Sequence, residues 1–301
     1  MKKNPVVSVL VAALSLGVIF FFVLYLASLV SGGKSPRPLT PLPGAERVAL
    51  VTIEGVLLSS EHVVEELNDY AEDSSIKAIV LRIDSPGGGV VPSQEIFNAV
   101  KNAKKEGKKV VVSMGSVAAS GGYYIAAAAD KIVANPGTMT GSIGVKMEFM
   151  NVEKLLEKIG VQGMVIKSGE YKDVGSPFRG MTAQEKKLLQ GVIDDVQSQF
   201  VEAVAQGRKL PEAQVRAIAD GRIFTGRQAL GLKLVDQMGD LEDSIRAAGE
   251  LAGIRGKPKV TKKEKKLPFF DYLKEETASW ISDVVAQGMG KTSGRLQYLY
   301  R

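Results

Sequence analysis

The sequence predicts a mainly parallel α/β domain, and two patterns carry that prediction. Segments of strand character alternate with segments of helical periodicity, and the strand interiors are apolar throughout, as strands covered on both faces require. A third feature stands apart from the domain. Residues 6–30 form a stretch of twenty-five residues without a charge, roughly 37 Å long as a helix and enough to span a bilayer with some tilt.

Residues 1–5 are a short flank carrying Lys2 and Lys3. The apolar stretch at 6–30 reads as a transmembrane signal-anchor helix, because a cleaved signal peptide has an apolar region of only about 7–15 residues. Val30-Ser31-Gly32 also offers a cleavage site, so trimming stays open at this stage. Lys34 and Arg37 follow the span, and charge alone does not set the orientation. The minimal N-terminal flank favours a single pass through the cytoplasmic membrane with the bulk of the protein outside the cytoplasm. The absence of cysteine suits that compartment. Residues 31–46, with four prolines and three glycines, read as a linker.

The predicted domain occupies 47–256. A strand at 47–53 and a helix at 61–73 lead into an apolar strand at 78–83, which runs into Asp84-Ser-Pro-Gly-Gly-Gly89. An amphipathic helix at 92–106 and a strand at 109–114 follow, then the Ser120 loop and an alanine-rich buried helix from Tyr123. Short strands are expected at 131–134, 143–147 and 162–166, with a helix at 152–159 and a loop over 167–181. Thr182-Ala-Gln-Glu185 is a capping box that opens a long helix to about Arg208. Shorter helical patterns cover 211–219, 225–231 and 241–252.

Residues 257–301 form a basic linker and an amphipathic tail. Six lysines against one glutamate between Lys257 and Lys266 supply most of the chain's net charge of +6. Such a run reads as a solvated segment, with anionic lipid contact as the alternative. No aromatic residue is interleaved with it, which argues against nucleic acid as a partner. Phe269, Phe270, Tyr272 and Trp280 give the tail an apolar side. That side suits packing on the protein or a neighbouring subunit, with membrane-surface contact as the alternative.

The segment Met114-Gly-Ser-Val-Ala-Ala-Ser-Gly-Gly-Tyr-Tyr124 places Ser120 among residues too small to shield it. A serine at a strand-to-helix switch exposes its hydroxyl beside backbone N–H groups, as an acyl-transfer nucleophile requires. The glycine loops at 85–89 and 119–122 admit three readings: phosphate cradles, an oxyanion hole, or plain tight turns. Neither phosphate fingerprint is present after the strands. The single histidine, His62, precedes an amphipathic helix among glutamates and reads as a surface residue. With one histidine, no cysteine and no H-E-x-x-H, no metal or other cofactor is expected. Lysine is left as the base, although taken alone any one lysine reads as a solvated charge.

Four segments in order, Asp84-Ser-Pro-Gly-Gly-Gly89, Gly115-Ser-Val-Ala-Ala-Ser-Gly-Gly-Tyr-Tyr124, Thr140-Gly-Ser-Ile-Gly-Val145, and Lys167-Ser-Gly-Glu-Tyr-Lys-Asp173 with Ser176-Pro177, resemble the signal peptide peptidase A family of membrane-bound serine peptidases. The likeness covers roughly residues 48–254 and is of the short, single-domain type. It implies a Clp protease/crotonase-like fold of repeated β-β-α units and a homo-oligomeric ring in which the dyad is shared between subunits. By this resemblance Ser120 is the nucleophile, Lys172 the general base, and Ser142 the residue that orients the lysine. Gly87 or Gly88, with Gly121, would supply the oxyanion N–H groups. The implied substrates are hydrophobic peptides such as cleaved signal peptides. Two alternatives remain: a crotonase-like acyl-thioester enzyme, and a non-catalytic membrane-associated scaffold.

Overall fold

The structure is a computed structural model and describes residues 46–263. The expected span at 6–30, the linker up to residue 45 and the aromatic tail lie outside the described residues. No helix among the described residues is long and apolar enough to cross a membrane.

Strands β1 (Arg47–Glu54), β2 (Ile76–Ser85) and β3 (Lys109–Ala119) run parallel side by side. Helices α1 (Glu61–Glu72) and α2 (Val90–Lys105) make the crossovers. Alternation along the strands splits the core in two. Ala49, Val51, Ile79, Leu81, Val110 and Val112 face the larger cluster, with Leu67 of α1 and Ile96 and Val100 of α2. Val48, Ala78, Val80 and Val111 face the smaller cluster, together with Ile245 and Ala248. Those two residues lie on α8 (Leu241–Leu251), which closes the far side of the sheet. A sheet buried on both faces explains the unbroken apolar runs.

The sheet forks at β3. Its first half pairs with β4 (Lys131–Ala134) and its last residues with β5 (Met139–Gly141). The cause is a register shift against β2: Ile83 pairs with Met114, whereas Ser85 pairs with Ala118. The additional residues of β3 bend it. Asp84 Oδ1 accepts the Val117 N–H at 3.0 Å, and Thr138 Oγ1 donates to the Gly115 carbonyl at 2.8 Å, holding both sides of the bend. In consequence β3 runs on to Ala119 instead of ending at Met114, and helix α3 (Gly121–Ala126) starts directly behind Ser120.

The remaining strands are short. β6 (Ile223–Thr225) is antiparallel to β5, β7 (Gln237–Met238) extends β4, and β8 (Lys259–Thr261) pairs with β1. The basic run therefore begins as a strand of the sheet, and Lys263 goes on to pair with Asp69 of α1.

Two expected strands do not form. The pairing of β5 fades at Ile143, whose carbonyl accepts the Gly221 N–H at 3.1 Å. Residues 144–147 and 162–166 form no strand, and the segment between β5 and α5 (Ala183–Arg208) contains only the short helix α4 (Glu153–Lys158). Ile143 at its start is buried in the main core, but most of its apolar side chains beyond stay in solvent, with Met164 90% and Ile166 95% exposed. The capping box of α5 forms as expected: Thr182 Oγ1 accepts the Glu185 N–H at 3.2 Å, and the Glu185 carboxylate accepts the Thr182 N–H at 2.8 Å. From Phe200 onward α5 packs into the main core. Helices α6 (Glu212–Arg216) and α7 (Gly226–Gly231) complete the domain.

Candidate active site

Ser120 sits where β3 turns into α3, with φ 53° and ψ −121°. This left-handed conformation is strained for a non-glycine residue and turns the side chain outward from the strand end. Two backbone bonds hold it there. The Ser120 N–H donates to the Gly141 carbonyl at 2.9 Å, and its carbonyl accepts the Tyr124 N–H at 2.8 Å.

The glycine loop after β2 lies against this turn. Gly87 has φ 100°, and a methyl group on it would stand 2.8 Å from Ser120 Cβ and 2.7 Å from the Gly121 nitrogen. The loop is fastened by Leu57, whose N–H donates to the Gly87 carbonyl at 2.9 Å and whose carbonyl accepts the Gly89 N–H at 2.8 Å. Ser93 Oγ donates to the Gly89 carbonyl at 2.8 Å. The Gly87 N–H is spent on Ser85 Oγ at 3.1 Å. The Gly88 and Gly121 N–H groups have no acceptor among the described residues. Sequence reasoning assigned no role to Ser85 within its glycine loop and did not anticipate Leu57 or Ser93, since a backbone staple and small buried hydroxyls carry no local signal.

Ser120, Gly87, Gly88 and Gly121 line a cleft of about 510 Å³. Its walls are apolar: Val56, Val90, Val196 and Phe200, with Tyr124 between. Tyr124 packs between the Phe97 and Phe200 rings at centroid distances of 4.9 and 5.1 Å, which stiffens that wall. Lys146 also lines the cleft, and its ammonium pairs with Glu148 at 2.9 Å. No sequence motif singled it out.

Ser142 follows Gly141, whose strand pairing with Ala119 sets it alongside Ser120. It is half-buried at φ 48°, its N–H donates to the Arg222 carbonyl at 2.8 Å, and it is not among the cleft-lining residues. Lys172 is exposed on the 167–181 loop and also lies outside the cleft of its own chain. His62 is exposed on α1, away from the cleft lining.

The loop bearing Lys172 is held by ion pairs. Arg179 donates to both Asp173 oxygens, from Nε at 2.8 Å and Nη2 at 2.7 Å, and Lys167 Nζ reaches Asp173 Oδ1 at 2.6 Å. Arg179 also donates to Glu185, from Nη1 at 2.9 Å and from Nη2. Hydrogen bonds from Arg179 and then Lys167 hold the Asp173 carboxyl well below the usual carboxylate range. Arg179 and the Thr182 N–H lower Glu185 to about 2.

Known proteins resemble this chain over most of the described domain. Residues 102–255 match the description "Peptidase family S49", and residues 46–140 match "Clp protease"; the mixed sheet is consistent with a Clp protease-like fold. A relative from Synechocystis sp. that is named as a protease is 47% identical over 210 residues, 69% of this chain and 76% of the relative. An Enterococcus faecium relative named as a signal peptide peptidase, SppA, is 36% identical over 236 residues, 76% of this chain and 65% of its own. Protease 4 of Haemophilus influenzae is 34% identical over 218 residues, 69% of this chain but 35% of its own length. With half the chain matched and a close relative covered over most of its length, the chain belongs to peptidase family S49 and is a peptidase.

Proposed function

We propose that the chain is a membrane-anchored serine endopeptidase that hydrolyses hydrophobic peptides, such as cleaved signal peptides, through a Ser120–Lys172 dyad. The observation that carries this reading is Ser120 at the base of an apolar cleft beside two unused N–H groups. Neutral Lys172 takes the Ser120 proton as the hydroxyl oxygen bonds to the scissile carbonyl carbon. The resulting oxyanion accepts from the Gly88 and Gly121 N–H groups, Gly87 having its N–H committed elsewhere. Lys172 returns the proton to the leaving amine, and water then cleaves the acyl-enzyme with Lys172 again as base. Ser142, beside the turn, orients the lysine.

The lysine is taken to come from a second copy of this chain, in a homo-oligomeric ring. Lys172 does not line its own chain's cleft, and the segment that carries it exposes Met150, Leu155, Met164 and Ile166, an apolar surface suited to burial against another subunit. Residues 6–30 are the anchor that keeps the domain near membrane-borne peptides, with 31–46 as linker and 257–301 as a basic segment and tail.

The test uses detergent-solubilised full-length protein and a fluorogenic hydrophobic peptide. Ser120→Ala and Lys172→Met are each expected to be inactive, and an equimolar mixture is expected to recover part of the rate. Normal turnover by Lys172→Met would remove the dyad, and Lys146→Met then tests the lysine of the cleft itself. An acylating probe that fails to label Ser120 would favour a scaffold over a hydrolase.

A further inference from the structure

We infer that Arg179, with Lys167, is a positioning residue for the dyad lysine: it holds the Asp173 carboxylate away from Lys172 and leaves that lysine without a counter-ion. The inference rests on the reading of Lys172 as the base. Asp173 follows Lys172 in the chain, so their Cα atoms are about 3.8 Å apart across a trans peptide, and the two side chains are within reach of each other. Both oxygens of Asp173 are nevertheless turned to Arg179 and Lys167. Arg179 is gripped from its other side by Glu185, which is only 3% exposed in the first turn of α5 and is itself tied by the capping box. A planar guanidinium forked onto two carboxylates fixes its partners in direction as well as distance. Lys172 makes no ion pair among the described residues.

The chemical need is plain. A carboxylate within about 4–6 Å of an amine favours the protonated form, whereas a general base must give its proton up. Were Asp173 free, it would accompany Lys172 to the serine and keep it charged. The other groups around the loop are accounted for. Glu170 is the second acidic residue of the turn, and its carbonyl also accepts from Lys167. Tyr171 flanks Lys172 on the same turn, Glu153 of α4 faces Gly180, and Glu148 is paired with Lys146. None of these is altered by the variants below. Arg179→Gln also frees Glu185 of one partner, but Glu185 keeps its bond to the Thr182 N–H. The double variant with Asp173→Asn is therefore what assigns a shift to Asp173.

The experiment is the pH profile of kcat/KM for the full-length protein, Arg179→Gln, Asp173→Asn and the double variant. In Arg179→Gln the rising limb is expected to move up by roughly one pH unit. In the double variant it is expected to return to the wild-type position. Asp173→Asn alone is expected to lower the rate without moving the limb upward, and Arg179→Lys, which keeps the charge but loses the fork, to fall between wild type and Arg179→Gln. A lower rate with an unmoved limb in Arg179→Gln would reduce the cluster to scaffolding and overturn the inference. Should that variant not fold, Lys167→Met removes the other partner of Asp173, and its limb must move in the same direction by a smaller amount. Failure of the dyad itself reads out separately, as full turnover by Lys172→Met.

Discussion

The Ser120 N–H donates to the Gly141 carbonyl at 2.9 Å, tying the end of β3 to the end of β5. The Ser120 turn is thus braced by a neighbouring strand on one side and by the glycine loop on the other. Gly87 is the point of that brace that bears on Ser120, because a methyl group there would press on Ser120 Cβ at 2.8 Å. Backbone strain at such a position costs about 1–3 kcal/mol. Gly87→Ala is expected to lose at least about 10²-fold in kcat and to melt a few degrees lower. Turnover and a thermal melt together check this.

Gly121 faces the Ser93 hydroxyl so closely that a Cβ would overlap it. Gly121→Ala is expected to be nearly inactive, and Ser93→Gly on that background to restore part of the rate by making room. Equal inactivity of single and double variants would show that the free N–H of Gly121, not space, is what the alanine disturbs.

Tyr123 is completely buried, and its hydroxyl donates to the Leu234 carbonyl at 3.0 Å. Burial pushes its ionisation upward. Tyr123→Phe leaves that carbonyl unpaired and is expected to cost about 1–3 kcal/mol by urea denaturation, with KM unchanged, since the ring points away from the cleft lining.

Glu185 carries the acid sensitivity of the Lys172 loop. Its carboxyl falls from 4.5 to about 2 on folding. A depressed carboxylate contributes stability that is fully present above its unfolded pKa and lost as pH falls through the folded value. The gap in melting temperature between wild type and Glu185→Gln is therefore expected to be constant above about pH 5, to shrink below pH 4.5, and to vanish near pH 2. A gap that persists at pH 2 would assign the effect to packing.

Ile166, at 95% exposure, contributes nothing to its own chain's core. Ile166→Asp is expected to leave the melting of the isolated subunit unchanged, to reduce the assembled mass by light scattering, and to lower activity in proportion. An unchanged mass would place the subunit contact elsewhere.

The parallel α/β architecture was legible because β1, β2 and β3 are buried on both faces, and the cap of α5 because Thr182 and Glu185 bond as their spacing implies. The forked sheet was not: it depends on extra residues in β3 taken up around Asp84 and Gly115, a register effect with no local signal. Residues 144–147 and 162–166 carry strand chemistry but form no strand, the pairing of β5 ending at Ile143. At the site, Ser120 and the glycines were readable from their small neighbours. Ser85 acts through one bond and Leu57 through two, which only the folded chain brings together.

The positive φ of Ser120 restricts which hydroxyl side chains this turn can accept. A threonine would carry a second branch at Cβ into a conformation already unfavourable for L residues, with the Gly87 backbone close on one side. Exchange of serine for threonine is tolerated in other hydroxyl chemistries, but here it would set the reactive oxygen against the turn that presents it. The backbone of this chain thus selects a primary alcohol before any base or substrate arrives.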